Sequence, residues 1–424
     1  MSSPSPASPP PSGSGVVPFE RRIVWLVALV QLVNVLDFMM VMPLGPDFAK
    51  ALAFPESQIG MIAGAYTAAA AVSGLIGAQF LDRFDRRRAL AVALAGLGVG
   101  TALGGLATDL PTLIGARIVA GMFGGPATAL SLAIIADVVP PVRRGRAMAI
   151  VMAGFSVASV LGIPAGLMLA RVGTWRTPFF AIGGLAIGAT AVATFALPSL
   201  RGHISSLPRA RVRAMQLLRR PDMALALGTY ALMMMSIFAL IPNLSAFIQH
   251  NMGYPRGDIE LLYMAGGVVS FVVVLMAGRA VDKLGAVSVG VMGAACMIAA
   301  TACGFAVEPA LLPVVAVFIL FMCSGSLRSV SMTTLVSRIP GPSERAQYMS
   351  LQSAVQHISS SLAAILSSQI LTTGPDKRLV GMNYIAVGSI ALGAVVPVLM
   401  WRIQRYVDRQ PAALSAPPLP VLEH

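Results

Sequence analysis

Three formal charges lie inside long apolar stretches of this chain: Asp37, Arg117 and Arg328. On insertion scales a charge at the centre of a bilayer costs about 2.5–3.5 kcal/mol, so each marks a functional position by default. Asp37 lies about 15 residues into the first apolar run, which places it roughly 21 Å above the start of that run. Arg117 lies about six residues into the fourth run, which travels the other way, roughly 9 Å below the opposite boundary. In a hydrocarbon core of ~30 Å the two depths coincide, so the residues can meet. Two readings fit: a structural ion pair, or a proton-coupling pair. Burial favours the neutral acid, whereas a guanidinium favours the carboxylate. A changing Asp37–Arg117 distance therefore changes proton affinity.

Other polar residues accompany these charges. Gln31, Asn34 and Asp37 are spaced three apart and form a polar stripe on the first run. The eleventh run holds Gln352, Gln356, His357 and several serines, too much polarity to face lipid. His357 either titrates near neutral pH or donates a hydrogen bond to a neighbouring helix. Arg328 either holds an anionic group of a ligand or caps backbone carbonyls of a broken helix. Tyr66, Tyr230, Met234 (with Met233, Met235 and Phe238) and Asn243 make either an adaptable pocket or ordinary packing.

The elements that position these residues follow from composition. Of 424 residues 11% are charged and 56% hydrophobic, and mean hydropathy is +0.80. A soluble domain carries about 25% charged residues, so a large water-soluble enzyme is excluded. Twelve apolar runs cover roughly 23–45, 58–80, 89–107, 111–138, 147–170, 177–197, 223–248, 259–280, 286–306, 310–336, 347–371 and 382–401. Each approaches or exceeds the ~20 residues a spanning helix needs. The net charge of +13 sits between runs and sets orientation, which excludes a nucleic-acid partner. With an inside N-terminus, 22 Lys and Arg fall on the cytoplasmic side and six outside, so both termini are expected in the cytoplasm.

Residues 1–18 read as a disordered cytoplasmic tail, 19–197 as a six-helix bundle, and 198–222 as a basic cytoplasmic linker. Residues 223–403 read as a second bundle and 404–424 as a cytoplasmic tail. The halves echo each other at an offset of 200, in Asp82-Arg83 against Asp282-Lys283 and Pro140 against Pro340. Such repeats mark transporters with a midplane site between paired bundles. Cys296, Cys303 and Cys323 give neither a disulfide framework nor a metal spacing.

After the second run stands Ala78-Gln79-Phe80-Leu81-Asp82-Arg83-Phe84-Asp85-Arg86-Arg87, which resembles the loop signature of the major facilitator superfamily. Ala78 and Asp85 replace two glycines of that pattern. Gly278-Arg279-Ala280-Val281-Asp282-Lys283-Leu284-Gly285 keeps both glycines but not the paired arginines. Arg117-Ile118-Val119-Ala120-Gly121 is similar to the family's pattern in the fourth helix. Gly154, Ala158, Gly162, Pro164 and Gly166 resemble the fifth-helix signature of its drug:proton antiporter and sugar-efflux branch. The small residues recur every four positions, a stripe that lets helix backbones approach closely, and Pro164 favours a kink. The resemblance implies that this helix packs across the bundle interface. It further implies a cytoplasmic gate of Asp82, Arg83, Arg86, Asp137 and Asp282, in which Arg86 pairs with Asp137 and Asp82 meets a helix N-terminus. On the residues alone, the arginines only enforce topology.

The expectation is an all-α membrane protein of 12 spans in two pseudo-symmetric bundles, the major facilitator fold. Its expected role is proton-coupled export of small amphipathic compounds, drugs or sugars across a bacterial inner membrane. Small-molecule substrate, protons and the bilayer are the partners, and the monomer is the working unit. Neither a catalytic constellation, a Walker A motor nor a cofactor or metal site is expected. The rivals are a proton-driven uptake carrier, a non-transporting membrane sensor and, more distantly, a membrane-embedded enzyme built on His357.

Overall fold

A computed structural model of the chain describes residues 18–200, 214–307, 309–340 and 344–409. Twelve long helices account for nearly all of it. In the first half they are α1 (Pro18–Met40), α2 (Ile59–Phe80), α3 (Arg86–Gly105), α4 (Leu110–Val138), α5 (starting at Pro141–Val157) and α6 (Thr177–Ala196). In the second half they are α7 (starting at Pro221–Phe238), α8 (Ile259–Leu284), α9 (Ala286–Thr301), α10 (Val314–Val336), α11 (Arg345–Ile370) and α12 (Met382–Arg409). A two-stranded hairpin, Thr372–Thr373 against Leu379–Val380, links the last two.

Among the described residues, eleven helices are long and apolar enough to cross a membrane. The exception is α11, which is long enough at 26 residues but carries the serines and glutamines noted above. Its polarity faces protein: α11 packs lengthwise on α2, and Ser361 donates to the Gly64 carbonyl at 2.8 Å.

Local chemistry explains most helix boundaries. Asp109 and Thr112 close a capping box at the start of α4, and proline stands in the first turn of α4, α5, α6 and α7. The Thr112 backbone N–H, then its hydroxyl, hold the Asp109 carboxyl below its usual range. Gly285 adopts φ +84, a left-handed turn that lets α9 start directly after α8.

Several boundaries differ from expectation. α5 begins at Pro141, not 147, and passes through a π turn over Ala158–Gly162 before continuing as Ile163–Val172. That turn directly precedes Pro164, whose missing N–H disturbs the ladder. α7 breaks at residues 239–240 and resumes as Ile241–His250, led by Pro242. The segment expected as linker contains a short helix, Ala214–Arg219, and α12 runs on to Arg409, past the expected boundary at 404.

Buried side chains divide by depth. We call the side where α1 begins and α12 ends the near face. There, one cluster gathers Val27, Leu94, Ile134 and Ala193 from the first half, and a separate one gathers Met223, Val289, Leu335 and Met400 from the second. On the far face a single cluster runs through both halves, joining Leu44, Phe48, Leu167 and Phe179 to Leu244, Phe247, Phe305 and Phe318. Among the described residues, the two halves are thus fused by their hydrophobic core on the far face.

Candidate functional site

Asp37 on α1 and Arg117 on α4 meet as their depths require. Arg117 donates to both carboxylate oxygens, Nη1 to Oδ1 at 2.8 Å and Nη2 to Oδ2 at 3.1 Å. Exposure is 0% for Asp37 and 1% for Arg117. Thr101 on α3 donates to Asp37 Oδ1 at 2.7 Å, a partner that sequence reading did not name. Nothing in sequence spacing relates Thr101 to Asp37; the packing of α3 brings them together. The Arg117 guanidinium also lies over the Tyr66 ring of α2, 4.4 Å from its centroid.

The network continues along α1. Tyr66 donates to Asn34 Oδ1 at 3.1 Å, and Asn34 donates to the Gly124 carbonyl and to Thr128 Oγ1 on α4. Gln31 is buried, with its Oε1 unpartnered. Phe38 stacks on Tyr66 within the first half and on Phe238 of the second, at ring-centroid distances of 5.4 and 6.1 Å. The Phe38–Phe238 contact crosses between halves.

In the second half, Tyr230 on α7 donates to Gln356 on α11 at 2.9 Å, with Gln352 buried one turn away. Asn243 on the resumed part of α7 donates to Ser367 at 3.1 Å, and Met234 is buried in the near-face cluster. Arg328 on α10 donates to Ser236 on α7 at 2.8 Å. His357 is half-buried on α11, and no described bond joins it to Arg328. The expected cavity residues therefore divide between the halves, with a connected network around Asn34 and Tyr66 in the first and separate bonded pairs in the second.

Of the expected gate, Arg86 and Asp137 pair at 3.2 Å. Both belong to the first half, so this pair alone does not latch the halves together. The Asp82 side chain lies outside the described residues, while Arg83 and Asp282 are exposed. Asp85, in a position where the family signature carries glycine, caps α3 by accepting from the Arg87 N–H at 2.9 Å. It also accepts from Ser199 and from the Leu200 N–H, tying the end of α6 to the start of α3. A further near-face pair, Arg220 with Asp222 and Glu344, stays within the second half, and the Asp222 hydrogen bond raises the Arg220 pKa.

Contacts between halves are concentrated on the far face. Arg256 binds Asp47 at 2.6 Å, His250 Nε2 lies 2.9 Å from Glu56 Oε1, and Arg171 lies 3.5 Å from Glu260. Ser245 donates to the Pro43 carbonyl at 2.9 Å. None of these residues was marked by sequence, because the charged ones lie near helix ends, where charge is unremarkable.

The α5 stripe allows a close approach to α1, and α5 also packs on α8 of the other half. Gly154, Gly162 and Gly166 lie against Leu32, Leu36 and Met40 of α1, inside their own half. The π turn of α5 makes the contact between halves: a Cβ on Gly267 of α8 would stand 2.6 Å from the Ser159 carbonyl, while the Ser159 hydroxyl reaches Met39 of α1. A groove of about 1270 Å³ between α2, α3 and α4, lined by Val72, Ile76, Val92, Ile118 and Met122, is apolar and involves neither Asp37 nor Arg117.

Helix order, the two-half packing and the buried acid–arginine pair agree with a family match over residues 27–364 and 226–420. The chain belongs to the Major Facilitator Superfamily. It is 26% identical to a chloramphenicol resistance protein of Streptomyces lividans over 69% of this chain and 74% of that one. It is 25% identical to multidrug resistance protein 2 of Bacillus subtilis (strain 168) over 63% and 68%. Among solved structures, an inward-facing bacterial homologue of the lysosomal transporter Spinster superposes with a TM-score of 0.74 at 16% identity, covering 92% of this chain and 98% of that one. The D-xylose-proton symporter superposes at 0.71 and 18%, covering 91% and 98%. These likenesses establish the fold. As a Major Facilitator protein the chain is a multi-pass membrane transporter of small molecules, not an enzyme.

Proposed function

We propose that this transporter is a proton-coupled exporter of small amphipathic compounds, drugs or sugars, working by alternating access. The observation that carries the reading is the fully buried Asp37 held by Arg117 and Thr101. A proton and the guanidinium compete for one carboxylate, so rearranging α1 against α4 exchanges one for the other. Nearby, the Asn34–Tyr66 network and Phe38 connect that exchange to the surface between the halves.

The moving bodies are residues 19–197 and 223–403, joined by 198–222, with α11 as the eleventh of twelve spans. Among the described residues their cores join on the far face and form separate clusters on the near face, which supports a state open toward the near face. The charge distribution makes the near face cytoplasmic, in a bacterial inner membrane. The drug-resistance names of the relatives support the export direction. The substrate contacts proposed are Gln31, Asn34, Tyr66, Tyr230, Met234, Asn243, Arg328, Gln352, Gln356 and His357, with Asp82, Arg83, Arg86, Asp137 and Asp282 serving the cytoplasmic gate.

The test is transport in reconstituted vesicles under an imposed pH difference, with a panel of labelled compounds. Wild type should move at least one compound uphill against proton flow. Asp37→Asn should bind that compound but only equilibrate it. Uphill transport by Asp37→Asn equal to wild type removes the coupling assignment, and co-directional movement of proton and compound replaces export with uptake.

A further inference from the structure

Arg328 presents a charge that the described protein does not balance. It is 2% exposed, yet its Nε and Nη1 have no acceptor, and no described carboxylate forms an ion pair with it. The fully buried carboxylate of Asp37 is taken by Arg117. A guanidinium does not lose its proton in a protein, so burial cannot be relieved by neutralisation.

The side chain is held in place, which makes the free donors a built feature. A Cβ on Gly293 of α9 would stand 2.8 Å from Arg328 Cγ, so the missing side chain there makes room for the arginine stem. Ser236 Oγ accepts from Nη2 at 2.8 Å while donating to the Met233 carbonyl at 2.8 Å, and Ser389 of α12 donates to the Ser236 carbonyl. In the first half the buried arginine of the corresponding helix pair, Arg117, is balanced by Asp37. At nearly the same 200-residue offset, the neutral pair Asn34–Thr128 joins α1 to α4 as Ser236–Arg328 joins α7 to α10.

We propose that Arg328 anchors an anion site in the second half, with Nε–H and Nη1–H donating to a small monovalent anion. A carboxylate carried by a transported compound and inorganic chloride both have the required chemistry. A carboxylate would be cargo only if the exporter reading holds; the anion site itself does not depend on that reading.

The test follows thermal unfolding of the purified transporter as sodium gluconate is replaced by sodium chloride or by sodium benzoate at constant ionic strength. The wild-type midpoint should rise and saturate with at least one of them. Saturation with chloride assigns a halide site, and saturation with benzoate alone assigns a carboxylate site. Arg328→Gln should weaken the half-saturating concentration by about tenfold or more. Arg328→Lys, which keeps the charge but not the fork, should retain a weaker response. Arg402→Gln, on an exposed arginine, should respond as wild type does. No saturable rise in wild type, or an equal response in Arg328→Gln, overturns the proposal. Should Arg328→Gln fail to fold, an undiminished response in Arg328→Lys overturns it instead. Uphill transport that depends on Asp37 can survive such a result, so failure of the anion site and failure of the exporter reading are separable.

Discussion

A carboxylate without solvent is tolerated at Asp37 because three donors converge on it, two from Arg117 and one from Thr101. Their removal should cost unequal amounts. Arg117→Ala leaves a buried charge unpaired and should destabilise the protein by about 3–5 kcal/mol. Thr101→Val keeps the shape and removes one hydrogen bond to a charged group, for about 1.5–3 kcal/mol. Adding Asp37→Asn to Arg117→Ala should recover part of the loss, because the orphaned charge is gone. Thermal midpoints in one detergent give the ranking; an Arg117→Ala protein as stable as wild type would mean that the pair carries no structural load. Asp85 illustrates the limit of motif reading at this scale. As a replaced glycine it looked like a departure from a signature, whereas it serves as a cap tying two helices.

At the scale of elements, α5 is shared by two neighbours. Its glycines fit α1 and its π turn at Ser159 meets α8 across the halves. Gly162→Leu adds four heavy atoms where Leu36 already stands, so we expect inserted protein without transport. Gly267→Leu on α8 tests the other contact. It should hold the halves apart on the far side of their interface while leaving α1 against α5 undisturbed. Cysteine accessibility at Phe38 from the far face should then increase in Gly267→Leu and not in Gly162→Leu. Equal accessibility in both variants would show that α5 does not separate these two tasks. The four-residue spacing made the stripe visible in sequence. The partner it meets was not visible, because a stripe of small residues fits any helix that approaches closely.

For the whole molecule, the expected state is open to the near face and closed at the far face. A cysteine at Ser206 should react with an impermeant label only from the cytoplasm, and one at Asp376 only from outside. Reaction of both from one side would overturn the twelve-span topology. Far-face closure rests on a continuous apolar core and on exposed or half-exposed ion pairs, and the latter contribute little singly, ~0.2–1 kcal/mol each. Asp47→Asn should therefore leave stability nearly unchanged while raising far-face accessibility modestly, since it releases Arg256. The same label at Phe38 measures it.

What the amino-acid order determined by itself was whatever depends on one helix at a time. Crossing segments follow from hydropathy because lipid demands it of each run separately. The Asp37–Arg117 meeting followed from depth because helical rise is constant, whereas the Arg86–Asp137 pair came from the family resemblance. Tertiary structure alone decided what depends on how helices rotate and how the halves lean. Thr101 beneath Asp37, α1 as the partner of the α5 glycines, the far-face pairs Asp47–Arg256 and Glu56–His250, and the unbalanced Arg328 all belong there. Periodicity gives each helix its apolar and polar faces, but residues some 200 apart meet only through the packing of two bundles, and hydropathy carries no term for that.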